Sequence, residues 1–553
     1  VDLREVTGRP GGGQWPLPAP ADIPAPFDHK RLLMGAPAPS RLHIAVAAGL
    51  SLGIAATIVT LVGNPGHALF VSLGAFTALY GTDRPYRKRV SLLLIVLLML
   101  IGAAVFGALA HDLAALLGAV PGSVTAAGFV VIGGVTLLAT LVTFLANALQ
   151  LGPPGGFFFA MVASMASLLA ARQVGVGEIA LLTLLGGAVA LVLSLLPALW
   201  APHGPVAKRL KTADAAVGRH LRAVDAGRAT SRTRTEAAVA LHAAWNAIEE
   251  ADLRDSATSR ALHGMHERFA ATLGPEHGRP DRSTEAAEDR RLAVDIPLGP
   301  PDRRYLLRRS LRLGSFPTIL ALRVLIACAV AGIAAYLLGT GRPDWAIMSA
   351  ILVLHSGVDR LVGTYRALHR LIGTAVGIVV FTLVYAAHPH GYVLIALLAV
   401  LQFLIELFVV RNYAVAVVLI TPLVLLVTTS PGQDPGALIW ARLVDTVLGV
   451  AVGVAVLWTV GRSFWQRALP GQLDRVAAAT AGLEDVLATE PPGGERALEA
   501  RRDLQFELIE AVRVADAAYR NAPQHAGRHW QRHLRTQDAG YRLLAACWVG
   551  VDR

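Results

Sequence analysis

The sequence predicts an all-α polytopic membrane protein: about twelve transmembrane helices in two parallel six-helix repeats, each followed by a cytoplasmic helical hairpin domain. Three observations predict it. Hydrophobic residues make up 54% of the 553 and charged residues 16%, where a globular enzyme carries roughly a quarter charged. The apolar residues gather into blocks too long and too poor in charge for a soluble core. The chain also says the same thing twice, six apolar segments and then a charged helical stretch, from Arg41 to Gly314 and again from Phe316 onward.

Residues 1–40 are rich in Pro, Gly and Ala and lack the short apolar core and cleavage pattern of a secretory signal, so they read as a cytoplasmic tail. The first membrane repeat, 41–201, holds spans at Leu42 to Val62, His67 to Gly81, Val90 to Leu109, Val124 to Leu145, Phe157 to Ala171 and Ile179 to Leu199. Several fall short of the roughly 20 residues that cross an untilted bilayer, which points to broken or tilted helices packed inside protein. Gly152, Pro153, Pro154, Gly155 and Gly156 cannot continue a helix and should cap or interrupt the fifth span. A polar domain follows at 202–315, with helical text at Val206 to Ala226 and Arg234 to Ala251. After it come a charged linker, Gly274 to Asp302, and a basic interfacial helix, Tyr305 to Leu313. The second repeat, 316–462, places spans at Pro317 to Leu338, Trp345 to Gly357, Ala367 to Ala387, Tyr392 to Val410, Tyr413 to Thr428 and Ala437 to Val460. The last domain, 463–553, reads as Gln472 to Ala488 and Glu495 to Tyr519, separated by Pro491, Pro492, Gly493 and Gly494.

Loop charge sets the orientation. The loops after spans two and eight carry Arg84, Arg87, Lys88 and Arg89, then Arg360, Arg366 and Arg370, whereas most other loops are nearly free of Lys and Arg. The positive-inside bias therefore puts both termini and both polar domains in the cytoplasm of a cell with this protein in its inner, or plasma, membrane; Arg172 and Arg342 are exceptions. The net charge of +11 belongs to this bias, because the basic residues flank apolar segments, and no nucleic-acid partner is expected. Cys328 and Cys547 are too few and too far apart for a disulfide framework or a metal cluster.

The second half contains Gly341, Arg342, Pro343, Asp344 and Trp345 before a short span, then Arg366 to Thr374 with Gly377, then Arg411, Asn412 and Tyr413, Thr421 and Pro422, and finally Arg442, Asp445, Thr446 and Gly449. This order resembles the integral membrane transporter domain of the fusaric acid resistance protein-like family, which includes bacterial aromatic acid exporters and is related to plant aluminium-activated malate transporters. It covers roughly Leu322 to Val460. The resemblance implies inner-membrane export of small, often aromatic, organic anions. The first half keeps the layout without the polar signature: with Gly186 set against Gly449, Ile179 and Leu182 stand where Arg442 and Asp445 do, and Gly63 to His67 echoes Gly341 to Trp345 without its charges or its Trp.

Ionisable groups at membrane depth are costly unless paired or hydrated, so each is a candidate for the transport path. Arg442 and Asp445 share one helical face: Arg442 would attract an organic anion and Asp445 exchange a proton, or the two form a neutral pair that fixes the helix. Glu406 is either a proton carrier or a partner of Arg411. Arg411, Asn412 and Tyr413 sit where one helix ends and the next begins, a place to receive a carboxylate or to anchor the chain. Trp345 is a stacking surface or an interfacial anchor, and His355 a titrating group or a hydrated end residue. Gly373 with Gly377, and Gly449 with Gly453, are close-packing faces between helices.

No phosphate-binding loop, His-Glu-x-x-His motif or Gly-x-Ser-x-Gly elbow occurs, so the sequence predicts neither an enzyme nor a bound cofactor or metal. The expected function is proton-driven secondary export of small organic or aromatic carboxylates through the seam between the halves. A passive organic-anion channel and a non-transporting scaffold or envelope factor are its rivals. Expected partners are the organic anion and the bilayer, with anionic lipid at Arg303 to Arg312; a homo-oligomer or an accessory export subunit stays open.

Overall fold

A computed structural model describes residues 41–119, 124–253, 256–273, 301–312, 314–355, 357–429 and 434–548. The expected N-terminal tail and most of the charged linker, 274–300, lie outside the described residues, as does Leu313. Every regular element among the described residues is helical.

Eight helices are long and apolar enough to cross a membrane: α1 (Leu42–Leu61), α3 (Tyr86–Leu116), α4 (Gly128–Ala148), α6 (Val176–Leu199), α11 (Phe316–Leu337), α13 (Arg360–Ala386), α14 (Gly391–Phe408) and α16 (Pro435–Thr459). The remaining four expected spans are shorter apolar helices: α2 (Pro65–Leu79), α5 (Phe157–Ala171), α12 (Pro343–Leu354) and α15 (Tyr413–Thr428). The shortest, α12, has 12 residues and rises about 18 Å, well below the roughly 30 Å of a hydrocarbon core. It works only when wrapped by neighbours, and it is: nine of its side chains are buried. The turn at 152–156 stops the chain before α5, with Gly152 and Gly155 in the left-handed region at φ 76° and 67°.

Four of the six apolar second-half helices start on side-chain caps, whereas α12 and α14 do not. Ser315, Asp359, Asn412 and Asp434 accept hydrogen bonds from the first backbone N–H groups of α11, α13, α15 and α16, which removes orphaned donors at helix starts. The apolar helices of the first half have no such caps.

Packing pairs recur between the halves. Helix α3 packs on α5 as α13 packs on α15, and α2 packs on α6 as α12 packs on α16. The halves meet through α1 against α14 and α4 against α11. These contacts are apolar and close: a Cβ on Gly49 would stand 2.7 Å from the Ala399 carbonyl, and Ile132 fills the space beside Gly332.

Polar helices lie against one side of the apolar bundle, called the near side below. The sequence suggests a hairpin after each half, but among the described residues each contributes a triplet: α7 (Gly204–Asp225), α8 (Ser231–Ala251) and α9 (Ala257–Ala270), then α17 (Phe464–Leu487), α18 (Glu495–Asn521) and α19 (Pro523–Trp548). Both triplets bury one shared core, in which Val217, Leu241 and Phe269 join Val476, Leu504 and Leu544. The basic loops dock here. Arg84 pairs with Glu250, Arg87 with Asp252 and Lys208 with Asp83, while Asp359 accepts from Arg520 at 3.1 Å.

The basic segment forms α10 (Arg303–Ser310), but Arg309 does not face lipid. It donates to Glu507 at 2.8 Å, beside Tyr305 Oη at 2.8 Å and Gln472 at 2.6 Å. Arg303, Arg304, Arg308 and Arg312 stay exposed.

Candidate anion site

Helices α12, α13 and α16 pack together and bring charge into the bundle. Gly449 and Gly453 allow this, since a Cβ on Gly449 would stand 2.8 Å from Ser349 Cβ and one on Gly453 would stand 3.2 Å from Val353 Cβ. On α13, Gly373 and Gly377 do the same against Val417 and Thr421 of α15. The expected close-packing faces are therefore helix contacts.

Trp345 sits in the first turn of α12, 2% exposed, between two guanidinium groups: Arg342 at 4.2 Å and Arg442 at 5.0 Å from the ring centre. It is no interfacial anchor. Its Nε1 has no hydrogen-bond partner among the described residues. Arg342 forms a two-pronged pair with Asp344, both bonds 2.9 Å.

Arg442 and Asp445 lie on α16 and are buried, but no hydrogen bond or ion pair joins them among the described residues. This corrects the simple picture of a neutral i,i+3 pair. Arg442 reaches across to the Trp345 face, and both carboxylate oxygens of Asp445 have no hydrogen-bond partner. Thr340 lies close to Asp445, but its hydroxyl donates to the Ala335 carbonyl at 3.3 Å.

Sequence reading missed Arg370. Assigned there to a basic loop, it stands inside α13, 2% exposed, with one bond of 3.4 Å to Ser349 Oγ and with Nε and Nη1 unbonded. Arg342, Arg370, Asp344 and Asp445 are the electrostatic neighbours of Arg442. Three arginines thus meet two aspartates, and among the described residues only Arg342 of the three is in an ion pair. A signal was present: Arg370 shares a buried stripe with Gly373, Thr374 and Gly377, at the spacing of one helical face.

The two exceptions to the loop-charge bias also come together. Arg172 donates to the Thr428 carbonyl across the two halves and lies within electrostatic range of Arg342. The first half, which lacks the polar signature of the second, has polar contacts of its own. At its matching far-side turn, Glu178 accepts from Asn64 at 2.7 Å and meets His67 Nδ1 at 2.6 Å.

Other candidates lie apart from this cluster. Glu406 is buried near the end of α14 and faces Arg41 at 3.7 Å and Gln402 at 3.5 Å rather than Arg411. Arg411 is exposed. Asn412 uses its side-chain oxygen to cap α15, accepting from Ala414 N–H at 3.0 Å, and Tyr413 lies under Arg366 at 4.3 Å. His355 ends α12, exposed in the wall of a near-side cavity of about 1120 Å³. The ionisable cluster therefore sits inside the second-half bundle, whereas the main contacts between the halves are apolar.

The surplus of arginine over aspartate in this buried cluster calls for a counter-ion, because an unpaired buried guanidinium is costly. Planar guanidinium groups beside an indole face suit a carboxylate attached to an apolar or aromatic body. No group of three or more His, Cys, Asp or Glu suited to a metal occurs among the described residues.

Residues 328–456 match the profile of the fusaric acid resistance protein-like family, close to the limits drawn from the motifs. An uncharacterized membrane protein of Bacillus subtilis (strain 168), YvaC, is 25% identical over 91% of this chain and 85% of its own length. No solved structure matches. The matched family is of the transporter type and not an enzyme family. Every sequence-predicted site residue, with Arg342 and Arg370, falls within residues 328–456 of this membrane protein, the region similar to the fusaric acid resistance protein-like family.

Proposed function

We propose that the protein is a secondary transporter that exports small organic anions, with an aromatic carboxylate the best fit. The observation that carries this reading is Trp345 beneath the guanidinium groups of Arg342 and Arg442 while Arg370 and Arg442 have no ion-pair partner among the described residues. In this reading the near side faces the cytoplasm of a cell whose inner membrane holds the chain, and the twelve apolar helices form two six-helix repeats about an axis along the membrane normal. The recurring pairs, down to α1 with α14 and α4 with α11, support that symmetry. The anion's carboxylate lies on Arg442 and Arg370 and its ring against Trp345. Asp445, close by and, beside Thr340, without a hydrogen bond of good geometry among the described residues, takes up a proton as the anion leaves, which couples export to the proton gradient.

The test is flux of 2-naphthoate in proteoliposomes under an imposed pH gradient. Wild type should move it, and Arg442→Ala should lower the rate by about tenfold or more, the scale of losing one charge-assisted contact. Equal flux through both proteins would overturn the reading. A passive channel would use the same arginines, and flux that follows voltage and ignores the pH gradient would favour it over the coupled exporter.

A further inference from the structure

We infer that the near-side cavity is a second anion-binding site, a vestibule that takes an aromatic carboxylate from solution and delivers it along α12. This inference rests on the transport reading. The cavity, about 1120 Å³, lies where five parts of the chain converge: the end of α4 with the 152–156 turn, the start of α11, the end of α12, the start of α17, and α18. That volume holds a drug-sized ligand with water to spare. First half, second half and polar domain each supply a wall, so any rearrangement of the halves changes its shape.

Its lining is of two kinds. Arg312, Arg467 and Arg513 are exposed arginines in the wall, and Phe316 and Phe464 contribute aromatic surface. Among the described residues Arg467 bonds only Ser463 and Arg513 only Glu510, each a near neighbour in sequence, so neither guanidinium is tied to another element of the fold. Arg309 and Arg475 also line the cavity but are committed to Glu507 behind it and to Gln472 in its wall. Five arginines against Glu510 in the wall make a cationic cavity with an apolar interior. Such a lining favours an anion with an aromatic or aliphatic body over a small inorganic anion, which would gain nothing from the apolar part.

Continuity with the buried cluster comes from α12. Leu354 and His355 stand in the cavity wall, and Trp345 lies nine residues earlier, about 14 Å along the same helix. One short, wrapped helix thus carries a cationic site near each end.

The experiment uses the full chain in nanodiscs of zwitterionic lipid, in an Arg442→Ala background that removes the membrane-embedded site. Titration with 2-naphthoate should saturate. The added triple substitution Arg312→Gln, Arg467→Gln and Arg513→Gln should weaken binding by about tenfold or more, whereas Arg496→Gln, an exposed arginine outside the cavity, should not change it. As a second measure that needs no cavity variant, raising salt should weaken binding to the parent protein. Unchanged binding in the triple variant, salt-insensitive binding, or no saturation would overturn the vestibule. So would a loss confined to association with phosphatidylglycerol, which would make the cavity a lipid headgroup site, or to inorganic phosphate. The two readings fail separately: arginine-dependent binding without flux in any variant leaves the vestibule and removes the transporter, and normal flux with an indifferent triple variant does the reverse.

Discussion

Arg442 and Asp445 are one helical turn apart, and the attraction between them competes with what each meets on α12 and α13. Stacking on Trp345 satisfies the Arg442 face, a cation–π contact worth about 2 kcal/mol or more when desolvated, and it draws the guanidinium away from the carboxylate. Asp445 is left without a hydrogen bond, which suits a group that must gain and lose a proton. Glu406 is in the opposite situation, because Arg41 and Gln402 both face it. Asp445→Asn is therefore expected to flatten the dependence of 2-naphthoate flux on an imposed pH gradient, while Glu406→Gln should preserve it. A Glu406→Gln protein indifferent to the gradient, beside a normal Asp445→Asn protein, would move the proton carrier to α14.

Glycine contacts hold the elements at the distances the site needs. Gly449→Val would push a side chain into Ser349 and the α12 backbone, a cost of about 1–3 kcal/mol for overpacking, seen as a lower melting temperature in detergent. Gly482→Ala in α17, where nothing lies within 4 Å of the added methyl, should be neutral or slightly stabilising in the same assay. The second element-scale tie is Glu507. Burial alone would raise its carboxyl, but Arg309, Gln472 and Tyr305 hold it below the ordinary glutamate range. Its contribution is thus fully present at neutral pH and is lost as the pH falls through the lowered value. Glu507→Ala strands Arg309 and should cost about 3–5 kcal/mol of polar-domain stability in urea.

Across the whole molecule, the two polar triplets behave as one body because they share a core, and that core buries histidines. His220 and His533 are pushed down to about 4, and His266 to about 3, chiefly by burial. His266 also accepts from Trp245 Nε1 at 3.1 Å and packs edge-on against Trp548. Below the ordinary value of 6.5 the unfolded chain binds protons that the folded chain refuses, so stability falls as pH drops from there towards about 4. Tryptophan-monitored urea unfolding should show the midpoint falling over that window, with a shallower slope in His266→Gln. A midpoint independent of pH would mean these rings are protonated in the folded domain.

Much of this was legible along the chain. Apolar runs identified the membrane helices, loop charge identified the side on which Arg84, Arg87 and Asp359 meet polar helices, and glycine spacing identified the faces of α13 and α16. Those features are local, because burying a run of about 20 apolar residues or closing two helices over glycine needs only sequence spacing. Partner choice was not legible. From spacing alone Arg442 belongs with Asp445 and Glu406 with Arg411, yet the fold gives Arg442 to Trp345 and Glu406 to Arg41. Arg370 read as a loop residue because helix α13 begins ten residues before it, on the Asp359 cap. By itself, then, the sequence determined the helical membrane class and the family likeness of residues 328–456. Tertiary structure alone decided which charges remain uncompensated and where they gather, since that depends on side chains brought together from α12, α13 and α16, up to a hundred residues apart.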